Sequence, residues 1–259
     1  MGSVPDVAPK EYPPLPANHA VPPYEPKIIR DTIEDHWAMG AMEDASSDEW
    51  REYRHAYYRL IEKVDDRVDQ ILTAFRGEGL EDNTLVIFTS DHGDSHGAHQ
   101  TIQKSFFYEE MVRVPFIVHP LRGTGGHVDE HLVSNGLDLL PTLCDYAEIE
   151  PPDELPGRSV RPLVRGDKVT DWRGQVVAQT SNGAHVRGRM VRTEKYKYIV
   201  YHEQRNNEQL FDTEDDPGEM VDLTTVIMTC LTRTGNGYLH TAKSSMVDSV
   251  HAITTLTFP

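Results

Sequence analysis

The sequence has little cysteine and no long apolar run. Its 259 residues include only two cysteines, Cys144 and Cys230. Two cysteines cannot build a disulfide framework, and neither belongs to a Cys/His group with zinc spacing. No run of about 18 apolar residues is present, so we expect no membrane span. The first residues also lack an apolar signal core behind a basic start, which leaves the compartment unknown.

Positive charge is scarce as well. The chain has 25 Lys and Arg against 42 Asp and Glu, which gives a formal net charge of −17. Proteins bind the phosphates of nucleic acids through Lys and Arg, so the balance argues against a nucleic-acid partner. An anionic small substrate would be repelled at long range. A bound metal or a lysine in a cleft would have to overcome that field locally.

The amino-terminal half of the chain is organised as irregular chain followed by a helix and two strands. Residues 1–47 are rich in proline and predict irregular chain. Ser46 and Glu49 have the spacing of a capping box, and the apolar periodicity after them predicts a helix that Gly77 and Gly79 end. Two short apolar runs, residues 84–89 and 114–120, predict strands, the first buried on both faces. A helix that precedes a buried strand indicates an α/β fold.

The residue composition of the carboxyl-terminal half changes twice along the chain. Asn135 could cap a helix through LDLLPTLCDYA, and from about Trp172 runs of β-forming residues alternate with turns, which predicts a small antiparallel sheet. From Thr224 the chain contains no Glu and only three charged residues, which suggests a foreign or frame-shifted tail. We therefore expect an α/β unit over residues 1–165, an antiparallel β subdomain over 166–223 and an atypical tail over 224–259.

The residues that suggest chemistry follow the first strand directly. In SDHGDSHGAHQTIQK, Asp91 and His92 stand at the carboxyl end of that strand, the edge where open α/β sheets bind ligands. A carboxylate and an imidazole on one turn can reach a single cation, and Gly93 allows the sharp backbone turn that this requires. The alternative is a plain turn in which Asp91 accepts backbone hydrogen bonds and the histidines are merely exposed.

The stretch EDNTLVIFTSDHGDSHGAHQTIQKSFFYEEMVRVPFIV resembles the second conserved block of the type I sulfatases. That family has NTLVIFTSDHGD followed by a histidine, a lysine, FYEE and RVP, and this chain has each at matching spacing. The similarity continues in the preceding helix, in GLDLLPTLCDYAEIEPPDELPGRSVRPLV and in EQLFDTEDDPGEMVDL, and covers most of residues 13–223. The tail has no counterpart.

The resemblance implies both a fold and a site. It implies an alkaline-phosphatase-like α/β domain, with a mainly parallel sheet and flanking helices, followed by a small carboxyl-terminal antiparallel sheet. Residues 1–165 would then be the carboxyl-terminal part of the sulfatase core. It implies Asp91 and His92 as ligands of a divalent metal, with Ca²⁺ favoured, and Lys104 as a contact to the oxygens of a sulfate ester. His92 leaves room for a softer ion such as Mn²⁺. His96 and His99 could equally pack or hydrogen-bond beside the site.

One part of the family pattern is missing. Sulfatases hydrolyse esters with a formylglycine made from the first residue of a C/S-x-P-x-R motif. The surroundings of Cys144, Cys230 and Ser159 do not fit it, so no catalytic nucleophile is assigned. The family's paired Asp ligands after its first strand are also absent. Three hypotheses follow: a sulfuric ester hydrolase that needs a further amino-terminal segment, a phosphonate or phosphate ester hydrolase of the same superfamily, or a non-catalytic remnant or binding module.

Overall fold

The computed structural model describes residues 7–35, 40–119, 126–182, 186–202 and 207–224. Within these ranges the chain combines helices, a two-stranded ribbon and a separate four-stranded antiparallel sheet. The α/β class and the small carboxyl-terminal sheet are therefore confirmed. Nearly all of the tail predicted over residues 224–259 lies outside the described residues, and the three-part division of the chain stays a prediction. No helix in the described part is long and apolar enough to cross a membrane.

The proline-rich start contains a helix that the sequence pattern did not predict. Helix α1, Lys27–Asp35, buries Ile28, Ile29 and Ile33 in the core, and short 3₁₀ turns flank it at Pro9–Glu11 and Gly40–Met42. The expectation of irregular chain over residues 1–47 is wrong in this segment. Nine residues are too few for a clear period, and burial of one face stabilises a helix that would be marginal alone.

Helix α2, Ser47–Gly77, begins and ends where the sequence predicts. The Ser46 side chain accepts from the Glu49 backbone N–H, and the Glu49 carboxylate accepts from the Ser46 N–H, which completes the capping box. Gly79 follows the helix with a φ of 69°. Only Trp50 and Arg54 of this helix are buried. Further along, Leu60, Ile61, Val64 and Ile71 are exposed in the described structure.

Strands β1, Val86–Thr89, and β2, Phe116–His119, form an antiparallel ribbon with Phe88 opposite Ile117. The expectation that these strands belong to a mainly parallel sheet is thus not met within the described residues. Parallel neighbours need a crossover that returns the chain to the starting edge, whereas the chain between β1 and β2 holds only the short helix α3, Glu109–Val112, and turns. Phe88 is exposed, so β1 is not buried on both faces as expected.

Two further helices follow the ribbon. Helix α4, Asn135–Ala147, contains Pro141 and buries Asp138, Thr142 and Cys144. Helix α5 covers Arg161–Val164. The expected cap by the Asn135 side chain does not form, because Ser134 is the N-cap residue and Asn135 is the first helical residue. The side chain of Asn135 instead serves the site described below.

The antiparallel sheet has the order β3-β4-β5-β6. Its strands are Gln175–Asn182, Val186–Thr193, Tyr196–Tyr201 and Glu208–Asp212. Alternating residues of β4 and β5 are buried, as expected for a sheet with one covered face. The core joins this sheet to the helical part through the following residues: Ile28, Ile29, Ile33, Trp50, Ile102, Phe106, Phe107, Tyr108, Met111, Val186, Met190, Ile199, Tyr201 and Phe211.

Candidate functional site

Asp91 and His92 lie directly after β1 and turn toward each other. His92 Nε2 is 3.4 Å from Asp91 Oδ2. The side chain of Asp91 is 83% exposed and that of His92 is 39% exposed. The backbone N–H of His92 donates to Asp91 Oδ1 at 3.0 Å, and this hydrogen bond is the main cause of the lowered pKa of Asp91. Asp91 is therefore a carboxylate at neutral pH, with Oδ2 directed to the imidazole.

The tautomer of His92 follows from its hydrogen bond to the backbone. Nδ1 lies 2.8 Å from the carbonyl oxygen of Gly93. A carbonyl oxygen can only accept, so Nδ1 carries the proton and the neutral ring presents a lone pair at Nε2. This is the usual arrangement of a metal-binding histidine, whose second nitrogen is held by a backbone carbonyl or a carboxylate. The Nε2 lone pair and the Asp91 carboxylate fit a divalent cation as two of its ligands.

Lys104 contacts the same nitrogen of His92 that faces Asp91. Its Nζ is 2.5 Å from His92 Nε2, close enough for the ammonium to donate to the lone pair. The positive charge of Lys104 also contributes to lowering the pKa of Asp91. The structure therefore brings together the three residues that the sequence singled out, although 12 positions separate Lys104 from His92. Their roles as ligands and substrate contact stay predictions.

Gly93 holds this turn against the neighbouring helix. Its N–H donates to the carbonyl of Met111 at 2.8 Å, and a Cβ at this position would lie 1.9 Å from the carbonyl oxygen of Glu110. The sequence indicated a glycine for a sharp turn. The structure gives a different reason, which is the close approach of the α3 backbone.

The first turn of α4 is hydrogen-bonded to the segment that carries the site, a contact that the sequence did not indicate. Asn135 Nδ2 donates to the carbonyl of Ser90, the residue before Asp91, at 2.5 Å. One turn along, the buried Asp138 accepts from the Arg173 guanidinium and from the backbone N–H groups of Ser134 and Arg158. These bonds fix the start of α4 and with it the Ser90 carbonyl. No local pattern could have revealed a contact between residues 45 positions apart.

A second group of possible ligands lies in the interior. Among the described residues, His99, Glu110 and Glu219 offer ligand atoms within 4.8 Å of one another. Burial lowers the pKa of His99 to about 3, so its ring is neutral, and it stacks on Tyr108 with centroids 3.7 Å apart. The buried Lys197 ammonium already lies 2.7 Å from Glu219. It therefore supplies the positive charge that a cation would bring to this group.

The Lys197 ammonium has a full set of partners. Besides Glu219 it contacts Glu109 at 2.7 Å and the carbonyl of Phe107 at 2.8 Å. Three oxygen atoms thus surround the ammonium, which can donate at most three hydrogen bonds. We therefore regard the interior group as a structural connection between β5 and α3. A cavity of about 1350 Å³ is lined by other residues, including Phe116, Arg161 and Met190. The three predicted site residues do not line it and are at least partly exposed.

Comparison with known families assigns the chain to a class of protein. The family described as "Sulfatase" matches residues 11–149, and the family described as "N-sulphoglucosamine sulphohydrolase, C-terminal" matches residues 97–229. Both matched ranges include Lys104, and the first also includes Asp91 and His92. The chain belongs to the sulfatase family.

Individual relatives agree with this assignment. The chain is 36% identical over 205 residues to the Delta 4,5-hexuronate-2-O-sulfatase of Bacteroides thetaiotaomicron, covering 75% of this chain and 40% of the relative. The solved structure of a 2-O GAG sulfatase matches with a TM-score of 0.80 and 30% identity, over 98% of this chain and 53% of that one. The phosphonate monoester hydrolase of Agrobacterium radiobacter shares the fold, with a TM-score of 0.68 and 21% identity over 95% of this chain and 52% of that one. The chain thus spans about half the length of these proteins or less.

Proposed function

We propose that this chain carries half of the active site of a sulfate ester hydrolase, in which Asp91 and His92 hold a divalent cation and Lys104 contacts the sulfate. The supporting observation is the convergence of three side chains at the end of β1. His92 Nε2 lies within 3.4 Å of Asp91 Oδ2 and 2.5 Å of Lys104 Nζ. Membership of the sulfatase family supports the substrate class.

Each residue has a physical task in this proposal. Asp91 provides a carboxylate and His92 a neutral imidazole nitrogen, while Lys104 places a positive charge where the sulfate oxygens would lie. A bound cation would withdraw electron density from those oxygens. The carboxylate favours Ca²⁺ and the imidazole is compatible with Mn²⁺. Two side chains are only part of the six to eight ligands that Ca²⁺ usually takes, so we expect weak binding by this chain alone.

Lys104 and a cation would compete for the same lone pair. Nε2 of the neutral imidazole can accept from the ammonium or coordinate a metal, but it cannot do both. Cation binding therefore requires the Lys104 side chain to turn away from His92. That movement would free its charge for an anionic ester.

The first prediction is that two substitutions at the site change Ca²⁺ affinity in opposite directions. We expect Asp91→Asn to weaken Ca²⁺ binding by roughly tenfold or more, because it removes a charged ligand. We expect Lys104→Met to strengthen Ca²⁺ binding, because it removes both a competitor for Nε2 and a repelling charge, and to abolish the binding of inorganic sulfate. Isothermal titration calorimetry with Ca²⁺, Mn²⁺ and sulfate measures all three.

Lys63→Met is the matched control, since Lys63 is an exposed lysine in the middle of α2. It should leave all three titrations unchanged. If neither Ca²⁺ nor Mn²⁺ binds the native chain, or if Asp91→Asn has no effect on cation binding, the metal assignment is wrong. The chain would then be a remnant or binding module without a working site.

Turnover separates the proposed half-site from a complete enzyme. Covalent hydrolysis needs an activated nucleophile, and its loss forfeits several powers of ten in rate even when binding groups remain. No C/S-x-P-x-R motif is present, so in this proposal the nucleophile comes from polypeptide outside these 259 residues. The chain with Ca²⁺ should therefore cleave neither an aryl sulfate nor an aryl phosphonate appreciably. Turnover at ordinary enzymatic rates that Asp91→Asn abolishes would contradict this.

A further inference from the structure

We propose that Asn135 is a positioning residue for the cation site, and that Arg173, which precedes the carboxyl-terminal sheet, acts on the site through it. In this proposal Asn135 touches neither the cation nor the ester. It fixes the backbone from which Asp91 and His92 project. The inference rests on the proposed function for the identity of the ligand, but the hydrogen bonds that carry it do not depend on any ion.

Ser90 is the first residue after β1 that the strand ladder does not hold. Thr89 pairs with Phe116 and is the last residue of β1. The peptide group of Ser90 nevertheless sets the direction in which Asp91 leaves the strand. A backbone segment beyond the end of a ladder needs another partner for its polar groups if it is to keep a single conformation.

Asn135 supplies that partner. Its Nδ2 donates to the Ser90 carbonyl at 2.5 Å. The Ser90 hydroxyl donates to the carbonyl of His92 at 2.7 Å, and its oxygen lies 3.4 Å from Asp91 Oδ1. Ser90 is thus held through its carbonyl by α4 and through its hydroxyl across the turn. Because Asp91 stands between the two bonded residues, a rotation of its backbone would break at least one of these hydrogen bonds.

The Asp138 carboxylate anchors the first turn of α4. It is 0% exposed and accepts from the backbone N–H of Ser134 at 2.8 Å and of Arg158 at 2.9 Å. The guanidinium of Arg173 contacts both carboxylate oxygens, with Nη2 donating to Oδ1 at 2.6 Å. This two-pronged contact is the strong and directional form of an Arg–carboxylate pair. The Arg173 side chain is only 14% exposed, so solvent and salt screen the pair little.

Trp172 holds the same segment from the neighbouring position. Its indole N–H donates to the carbonyl of Leu132 at 2.9 Å, and the Arg173 guanidinium lies 5.2 Å from the centre of a Trp172 ring. Arg173 is separated from Asp138 by 35 positions and lies just before β3. The start of α4 is therefore fixed by residues next to the carboxyl-terminal sheet. This gives that part of the chain an influence on the cation site without a direct contact.

The expected effect is on the affinity for the cation. Loss of a group that orients a metal ligand typically weakens metal binding by about 10- to 100-fold. Asn135 orients Asp91 and His92 through the backbone and not by a bond to either side chain, so we expect the lower end of that range. Lys104 lies on a different segment, and its contact with sulfate should not depend on Asn135.

Asn135→Leu removes the donor with little change in side-chain shape. In isothermal titration calorimetry with the full chain, it should weaken Ca²⁺ binding by about tenfold and leave the binding of inorganic sulfate unchanged. Asn135→Gln retains an amide donor and should lose less Ca²⁺ affinity than Asn135→Leu. Asn83→Leu is the matched control, because it makes the same change at an exposed position just before β1. It should leave both titrations unchanged.

Hydrogen exchange measured by NMR tests the same contact without any ion. The N–H of Gly93 donates to the carbonyl of Met111, and the N–H of His92 donates to Asp91 Oδ1. Both should exchange faster in Asn135→Leu than in the native chain. The amides of β5 should keep their native rates, because only a general loss of stability would speed up their exchange as well.

Arg173→Lys tests the anchor of α4. Lysine keeps the positive charge but cannot make the two-pronged contact, so this variant should also weaken Ca²⁺ binding. Combined with Asn135→Leu, it should weaken Ca²⁺ binding no further than Asn135→Leu alone, because both changes act through Ser90. Urea unfolding establishes that each variant is folded. Additive losses would contradict the route through α4.

The outcomes separate this inference from the proposed function. If Asn135→Leu leaves both Ca²⁺ affinity and exchange at Gly93 unchanged, the inference is wrong while the proposed function stands. Equal losses of Ca²⁺ and sulfate affinity, together with faster exchange in β5, would show that Asn135 only supports the fold. If the native chain binds no cation but exchange at Gly93 is faster in Asn135→Leu, the positioning contact stands and the proposed function fails.

Discussion

The turn that carries Asp91 and His92 depends on the absence of a side chain at Gly93. An added Cβ would meet the Glu110 carbonyl oxygen at 1.9 Å, and that oxygen belongs to the backbone of α3, which cannot simply rotate away. We predict that Gly93→Ala lowers the free energy of unfolding by about 1–3 kcal/mol, as overpacking does. Gly136→Ala is the control, because no atom lies within 4 Å of its added Cβ. It should change stability little or raise it by up to about 1 kcal/mol, and urea unfolding measures both. Equal effects of the two changes would argue against the close approach.

At the scale of elements, the buried carboxylates around Lys197 connect strand β5 to helix α3. Glu219 accepts from the Glu109 backbone N–H at 2.7 Å and contacts the Lys197 ammonium at the same distance. The pKa of Glu219 is raised from 4.5 to about 7, mainly by burial; the contact with Lys197 opposes this rise, and the negative charge of Glu109 adds to it. At Glu109 burial alone would raise the pKa, but the contact with Lys197 and the positive charges of Arg192 and Arg113 together lower it. Of these two carboxylates, Glu219 therefore holds a proton more readily than Glu109.

This arrangement predicts a pH dependence with a definite sign. Between about pH 4.5 and 7 the folded chain binds more protons at Glu219 than the unfolded chain does. The stabilisation from this group is complete below about pH 4.5 and is lost as the pH rises to about 7. Relative to Glu219→Gln, the native chain should lose about 1–3 kcal/mol of unfolding free energy from pH 5 to 7. Urea unfolding at both values tests this. The exposed Glu52→Gln should follow the native chain, and a native chain that instead gained stability over this range relative to Glu219→Gln would contradict the assignment.

At the scale of the whole molecule, the composition of the chain changes at Thr224. The last 36 residues contain no Glu, and Arg233, Lys243 and Asp248 are their only charged residues. We predict that a chain ending at Leu223 has a melting temperature within about 2 °C of the full chain, because the tail adds little to the core. A chain that ends at Glu208 is the control. It removes Leu210 and Phe211 of β6, which are 8% and 0% exposed, and should not fold. A large loss of stability from the first truncation would show that the tail is packed.

Local patterns predicted much of the secondary structure. The capping box at Ser46 and Glu49, the glycines after α2 and the antiparallel strands after Trp172 are all confirmed. Each depends on residues close in sequence, whose backbone preferences and hydrogen bonds act over one or two turns. Helix α1 escaped detection, because its stability comes from burial of three isoleucines rather than from a period long enough to read.

The sequence by itself determined which residues stand at the end of β1, since the order strand, Asp91, His92, Gly93 is a property of the chain. Tertiary structure decided what surrounds them. It placed the Lys104 ammonium on His92 Nε2, bonded Asn135 to the Ser90 carbonyl and paired β1 with β2 in antiparallel register. It also left Leu60, Ile61, Val64 and Ile71 of α2 exposed, although the sequence showed only that they belong to one apolar face of a helix. Periodicity identifies a face that needs a partner, but only the packing of distant segments determines whether that partner is present.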